Sequence, residues 1–171
     1  MNIRNIFLTG FMGCGKTTVG HVLAQRLGWE FVDLDHAIVE EVGMSVKEIF
    51  AAHGEPYFRE LESRVLVRIA AGSGQVISTG GGAVIDRGNR AVMRQYGRIV
   101  NLKADVPTIV ARVSGNSERP LLADGASVEK IRTMLKAREE FYADADLRID
   151  TTGKDVAGVV DELIDSLKRY P

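Results

Sequence analysis

Short apolar runs alternate along the chain with longer stretches in which apolar residues recur every three or four positions. NIFLTG reads as a first strand. From Lys16 to Leu27, Val19, Val22, Leu23 and Leu27 follow at helical spacing, and Gly28 ends the run. EFVDLD reads as a second strand, followed by helical segments AIVEEVG and SVKEIFAAHG. A longer helix is expected over Glu55 to Ala71, with Pro56 in its first turn, where a missing N–H costs nothing. QVISTGGG reads as a third strand ending in glycines, with helix over Gly88 to Gln95. RIVNLKA is a fourth strand and PTIVARV opens the next helix. SGNSERPLLADGAS is polar and weakly periodic and reads as a mobile loop. Helix resumes from Val128 to about Tyr142, LRIDTT is a fifth strand, and a last helix covers Val156 to Lys168.

Strands alternating with helices argue for an α/β fold: a five-stranded parallel sheet covered on both faces, in three layers. Right-handed crossovers then bring the strand C-termini to one edge, where ligands bind. With 171 residues, 45% hydrophobic, the chain suffices for one core, so residues 1–171 are expected to form a single domain. A formal charge of −1 without a basic tract argues against nucleic-acid or membrane partners. The lone cysteine, Cys14, excludes an intrachain disulfide and a cysteine-rich zinc site. MNIRNIFLTG runs straight into a glycine loop instead of forming a signal peptide. A soluble, cytoplasmic, monomeric protein is expected.

The first strand ends in GFMGCGKT, which fits G-x-x-x-x-G-K-[ST] through Gly10, Gly15, Lys16 and Thr17. Glycines let main-chain amides approach an anion, and the positive end of the following helix favours phosphate there. Lys16 would reach the β- and γ-phosphates and the Thr17 hydroxyl would ligate Mg²⁺. Gly13, Cys14, Gly15, Lys16, Thr17 and Thr18 are therefore candidate nucleotide-binding positions, Cys14 through its backbone alone. The chain is expected to be a P-loop nucleotide-binding protein.

In VDLD, Asp33 and Asp35 lie two apart at the end of a strand, and period two would send both to one face beside the loop. One could attend to Mg²⁺ and water, the other to an acceptor hydroxyl. The competing reading is a solvated acidic pair opening a helix, with Asp35 as N-cap; the glycine loop nearby favours the functional one.

GFMGCGKTTVG, FVDLD, SVKEIF, GEPYFRELE, VISTGGGAV, ERPLL and REEFY, in this order, resemble the shikimate kinase family, small members of the nucleoside-monophosphate-kinase-like P-loop group. The resemblance covers nearly the whole chain. It implies Mg²⁺-dependent transfer of the γ-phosphoryl of ATP to the 3-hydroxyl of shikimate, a step toward chorismate and the aromatic amino acids. It implies roles for Lys16 and Thr17 at phosphate and metal, Asp33 near the metal through water, and Asp35 at the acceptor hydroxyl. Arg59 and Arg138 would hold the shikimate carboxylate, and the Gly80–Gly82 backbone would line its site. Arg119 would reach the ATP phosphates from a lid over residues 114–126, and Arg112 would lie near adenine. The acid-binding segment would span about 34–62.

Each side chain also has a plainer reading. Arg59 can pair with Glu62 at i+3, which is compatible with Glu62 steadying it for a ligand. Arg138 could be a surface arginine, Arg119 a solvated loop charge, and Phe50 and Phe58 core packing or a wall of the acid site. His21, His36 and His53 lack metal-ligand spacing. One stretch departs from the family: DTTGKDVAG carries Lys154 and Val156 where many relatives have an arginine and then a proline beside adenine. Lys154 is the candidate there. A gluconate- or nucleotide-kinase-like enzyme of the same fold is the alternative. A GTPase-type switch usually carries N-K-x-D, and that string is absent.

Overall fold

The computed structural model describes residues 3–114 and 127–170. Five strands form one parallel sheet: β1 (Asn5–Thr9), β2 (Glu30–Asp33), β3 (Gln75–Ser78), β4 (Arg98–Lys103) and β5 (Leu147–Asp150), in the order β2-β3-β1-β4-β5. β1 lies at the centre and is buried at every position, as a strand covered on both faces must be. Its first residue, Asn5, donates through Nδ2 to the carbonyls of Ala70, Gly72 and Tyr96 and accepts the Gln75 N–H. One side chain thus fastens three segments at the bottom of the sheet.

The helices are α1 (Lys16–Leu27), α2 (Leu34–Val42), α3 (Val46–Ala70), α4 (Arg87–Tyr96), α5 (Val106–Val113), α6 (Val128–Ala143) and α7 (Val156–Arg169), with a 3-10 turn over Ala83–Ile85. α1 packs on α7, and α3 packs on α2 and α4, so the sheet is sandwiched in an αβα arrangement. β3 and β4 flank β1 on opposite sides. The strand order therefore reverses at the C-terminal end of β1, where α/β sheets open a crevice for ligands. No described helix is long and apolar enough to cross a membrane.

Two local outcomes differ from the pattern-based expectation. β2 stops at Asp33, and Asp35 lies in the first turn of α2 instead of on the strand. The N-cap is Asp33, not Asp35: its Oδ1 accepts the His36 N–H at 3.1 Å, and this local bond turns the chain into helix before period two can continue. α3 agrees with the pattern: from a Ser45–Glu48 capping box to Ala70 it consists of two helical segments that meet at a kink at Gly54 (φ 81, ψ 174). A side chain at that φ would be strained, so the glycine permits the bend, and Pro56 then starts the second segment. The second difference is the 3-10 turn over Ala83–Ile85, which the pattern does not predict.

Candidate active site

The crevice at the end of β1 is a cleft of about 850 Å³ with two chemically distinct ends. The first is the loop between β1 and α1. Gly15, at φ 93, is the N-cap of α1 and offers no side chain to its first-turn amides. The other six described α-helices are all capped by a side chain: Asp33, Ser45, Asp86, Asp105, Ser127 or Asp155 accepts a first-turn N–H. The α1 amides are thus left for a ligand at the positive end of the helix. Lys16 Nζ arcs back and donates to the Gly10 and Phe11 carbonyls at 2.7 and 3.1 Å, so the ammonium sits over the loop. Thr17 and Thr18 are exposed to the cleft. Arg112 of α5 reaches across to donate to the Gly13 carbonyl at 2.9 Å and to Thr151 Oγ1 at 3.3 Å.

Two sequence-derived positions stand apart from this end. Cys14 turns its thiol into the core, 1% exposed, and burial pushes its pKa up. It does not line the cleft; its carbonyl accepts from Thr151 Oγ1. Lys154 is likewise absent from the cleft wall and is held by Glu162 at 2.6 Å on the surface. Arg148, six residues back, is also taken, by Glu139.

The second end is built from α2, α3, α6 and the glycines after β3. Arg59 donates through Nη1 to Glu62 at 2.8 Å, and through Nη2 and Nε to Glu55 at 3.1 and 3.3 Å. Burial works against its charge, but Glu62 and Glu55 more than offset that, and its pKa is raised. Arg138 is buried, with its guanidinium 5.8 Å from the Phe11 ring centroid. The three glycines mark where these side chains converge. A methyl carbon on Gly80 would lie 2.8 Å from Glu62 Oε1 and 3.2 Å from Asp35 Oδ1. One on Gly82 would come within 2.6 Å of Arg59 Cζ. The Gly81 carbonyl accepts the Tyr142 hydroxyl at 2.7 Å. Phe50 and Phe58, with centroids 4.9 Å apart, wall this end. Asp33 and Asp35 also line the cleft.

Burial raises the pKa of Glu62 to about 7; Arg59 and Arg138 pull against that, and Asp35 adds to it. Burial also lifts the Tyr142 phenol to about 12, so it stays a neutral donor to Gly81. His36 Nε2 faces Glu40 at 3.4 Å on the surface. Arg119 lies outside the described residues, as does the expected lid apart from Ser114.

The cleft also takes in Met12, Val39, Ser45, Val46, Lys47 and Thr79, which pattern reading left among helix faces and strand ends. Tyr142 was readable in principle. It lies at i+4 from Arg138, and on a helix that spacing puts both on one face.

The family model "Shikimate kinase" matches residues 12–168. A shikimate kinase of Geobacter metallireducens is 51% identical over 162 residues, covering 95% of this chain and 90% of that protein. One from Geobacter sulfurreducens is 50% identical over 167 residues, covering 98% of this chain and 92% of that protein. Among solved structures, the shikimate kinase from Acinetobacter baumannii in complex with shikimate is similar with a TM-score of 0.94 at 35% identity, over 98% of this chain and 94% of that one. The likeness covers nearly the whole chain, and on it the chain belongs to the shikimate kinase family.

Proposed function

We propose that this chain transfers the γ-phosphoryl group of ATP to the 3-hydroxyl of shikimate, giving shikimate 3-phosphate and ADP for chorismate and aromatic amino acid synthesis. The observation that carries this reading is the pair Arg59 and Arg138, which reach one end of a cleft whose other end is a phosphate-binding loop. Shikimate is a small ring with one carboxylate and three hydroxyls, so it can span such a cleft with its acid on the arginines and a hydroxyl toward the loop. Each charge-assisted hydrogen bond to the carboxylate contributes roughly 1.5–3 kcal/mol.

Catalysis of phosphoryl transfer is mostly positioning and charge stabilisation. The 3-hydroxyl oxygen attacks the γ-phosphorus, the bond to the β,γ-bridging oxygen breaks, and the hydroxyl proton leaves. Asp35 accepts a hydrogen bond from that hydroxyl and aims it at the phosphorus. The loop amides and Lys16, drawn off the Gly10 and Phe11 carbonyls, take up the charge on the phosphates. Arg112 is assigned to the adenine side and Arg119, from a lid over residues 114–126, to the ATP phosphates. The acid-binding segment is residues 34–62, and residues 1–171 work as one domain.

Magnesium is compatible with the residues present. Among the described residues no cluster of three or more His, Cys, Asp or Glu side chains could hold a metal, and none is needed, because Mg²⁺ at such loops relies on phosphate oxygens, water and one hydroxyl. Thr17 would supply that hydroxyl, and Asp33, which spends only Oδ1 on its cap, would act through water. When bound, the ion neutralises charge on the transferring group. Neither a nucleic acid nor a membrane is required, and the enzyme is assigned as a cytoplasmic monomer.

ADP release from ATP and Mg²⁺, measured with shikimate, gluconate and nucleoside monophosphates as acceptors, tests the reading. Shikimate is expected to be the efficient acceptor. Preference for gluconate or a nucleotide, or ADP release independent of any acceptor, would overturn it.

A further inference from the structure

The acid end of the cleft carries more negative charge than its arginines can balance once a substrate carboxylate enters. Arg59 is already engaged on both edges, by Glu62 and by Glu55. The two glutamates differ in what they can do when a third carboxylate arrives. Glu55 is 49% exposed and can turn into water, whereas Glu62 is 1% exposed and has nowhere to go. Glu62 Oε2 is bonded to Arg59, while Oε1 is buried without a hydrogen-bond partner among the described residues. The charged groups acting on Glu62 are Arg59 on its own helix, Asp35 of α2 and Arg138 of α6. α4 also packs on α3, but it turns Arg90 and Arg94 toward Asp144.

We propose that binding of the acid substrate is coupled to uptake of one proton by Glu62, at Oε1, and that Glu62 is thereby the residue that positions Arg59 and yields its charge to the substrate carboxylate. The inference rests on the reading of Arg59 and Arg138 as carboxylate-binding groups. An ionised Glu62 competes with the substrate for Arg59. A protonated Glu62 still accepts from Nη1 through Oε2 but leaves the guanidinium charge to the ligand. The proton comes from solvent, and no other bond changes. Burial already holds this carboxyl at about 7, so a further nearby anion moves it across neutral pH. Because the bound form then has the higher proton affinity, acid binding weakens as pH rises between the free and bound pKa values and is flat below and above them.

Titration calorimetry of the full chain with shikimate at pH 7.5, in buffers of different ionisation enthalpy, reads the proton count as the slope of apparent enthalpy on buffer enthalpy. Uptake of about 0.5–1 proton per shikimate is expected, with the affinity falling by up to about tenfold per pH unit above neutrality. In Glu62→Gln the uptake should vanish and the pH dependence flatten. Glu62→Asp keeps a titratable group, so uptake should persist with its pH midpoint displaced. Shikimate binding without uptake in the parent, or uptake unchanged in number and midpoint in the variants, overturns the inference while sparing the carboxylate site. No shikimate binding in the parent overturns both.

Discussion

At the nucleotide end of the cleft the groups on offer are main-chain amides, Lys16 and the hydroxyls of Thr17 and Thr18, all from residues 10–18, and Arg112 joins them from α5. At the acid end they are side chains of α2, α3 and α6 closing on a glycine backbone. The two ends also differ in state. The loop keeps a helix terminus without a side-chain cap, and its lysine donates to the Gly10 and Phe11 carbonyls. At the acid end Arg59 must exchange protein carboxylates for the substrate's. One end is built mostly by local sequence. The other is built by tertiary packing and is held in a charge balance that binding must disturb.

The comparison can be broken or sharpened by substitution, beginning with the largest expected effect. Lys16→Ala should lower kcat by about a hundred- to a thousandfold at saturating shikimate, because it removes positive charge where negative charge accumulates in transfer; near-parental turnover in the folded variant would remove Lys16 from that role. Arg59→Ala and Arg138→Ala should each raise the KM for shikimate by about ten- to a hundredfold while the KM for ATP moves less than about twofold. Equal loss at both substrates would dissolve the division between the ends.

Glu62 provides a test on stability. Its folded pKa of about 7 lies above its ordinary 4.5. The folded state therefore holds the proton more firmly, and the associated stability is complete below 4.5 and lost as pH rises through 7. Chemical denaturation across that range should show Glu62→Gln gaining on the parent by up to about tenfold in folding equilibrium per pH unit. A difference independent of pH would mean that Glu62 is not held as a buried acid. Tyr142→Phe loses one hydrogen bond to the Gly81 carbonyl, so the KM for shikimate should rise only a few-fold, about 0.5–1.5 kcal/mol. Smallest of all is Lys154→Ala. Because Lys154 is committed to Glu162 on the surface, the KM for ATP should stay within about twofold.

What could be read from the sequence follows the same division. The strand, glycine loop and helix from Asn5 to Leu27 form one continuous segment whose signals are all local, and it stands where the pattern put it. The alternation of strands with helices gave the layered parallel sheet for the same reason. At the acid end local signals competed. Asp33 satisfied its N-cap preference and ended β2, so Asp35 reached the cleft from a helix and not by strand alternation. The contact of Tyr142 with Gly81 spans 61 positions and that of Arg112 with Gly13 spans 99, and no periodicity reports such pairs. Lys154 stands off the cleft lining, where an acid eight residues on, Glu162, holds it along the surface. The resemblance to a family supplied Arg59 and Arg138 as partners; spacing alone would have left them as helix-surface charges.

The most direct test of the central claim is a crystal structure with shikimate and a non-hydrolysable ATP analogue bound together. The account predicts the shikimate carboxylate on the guanidinium groups of Arg59 and Arg138, the 3-hydroxyl against Asp35 and in line with the γ-phosphorus, and the triphosphate wrapped by residues 13–18. A carboxylate bound away from both arginines, or a 3-hydroxyl turned away from the nucleotide, would contradict it.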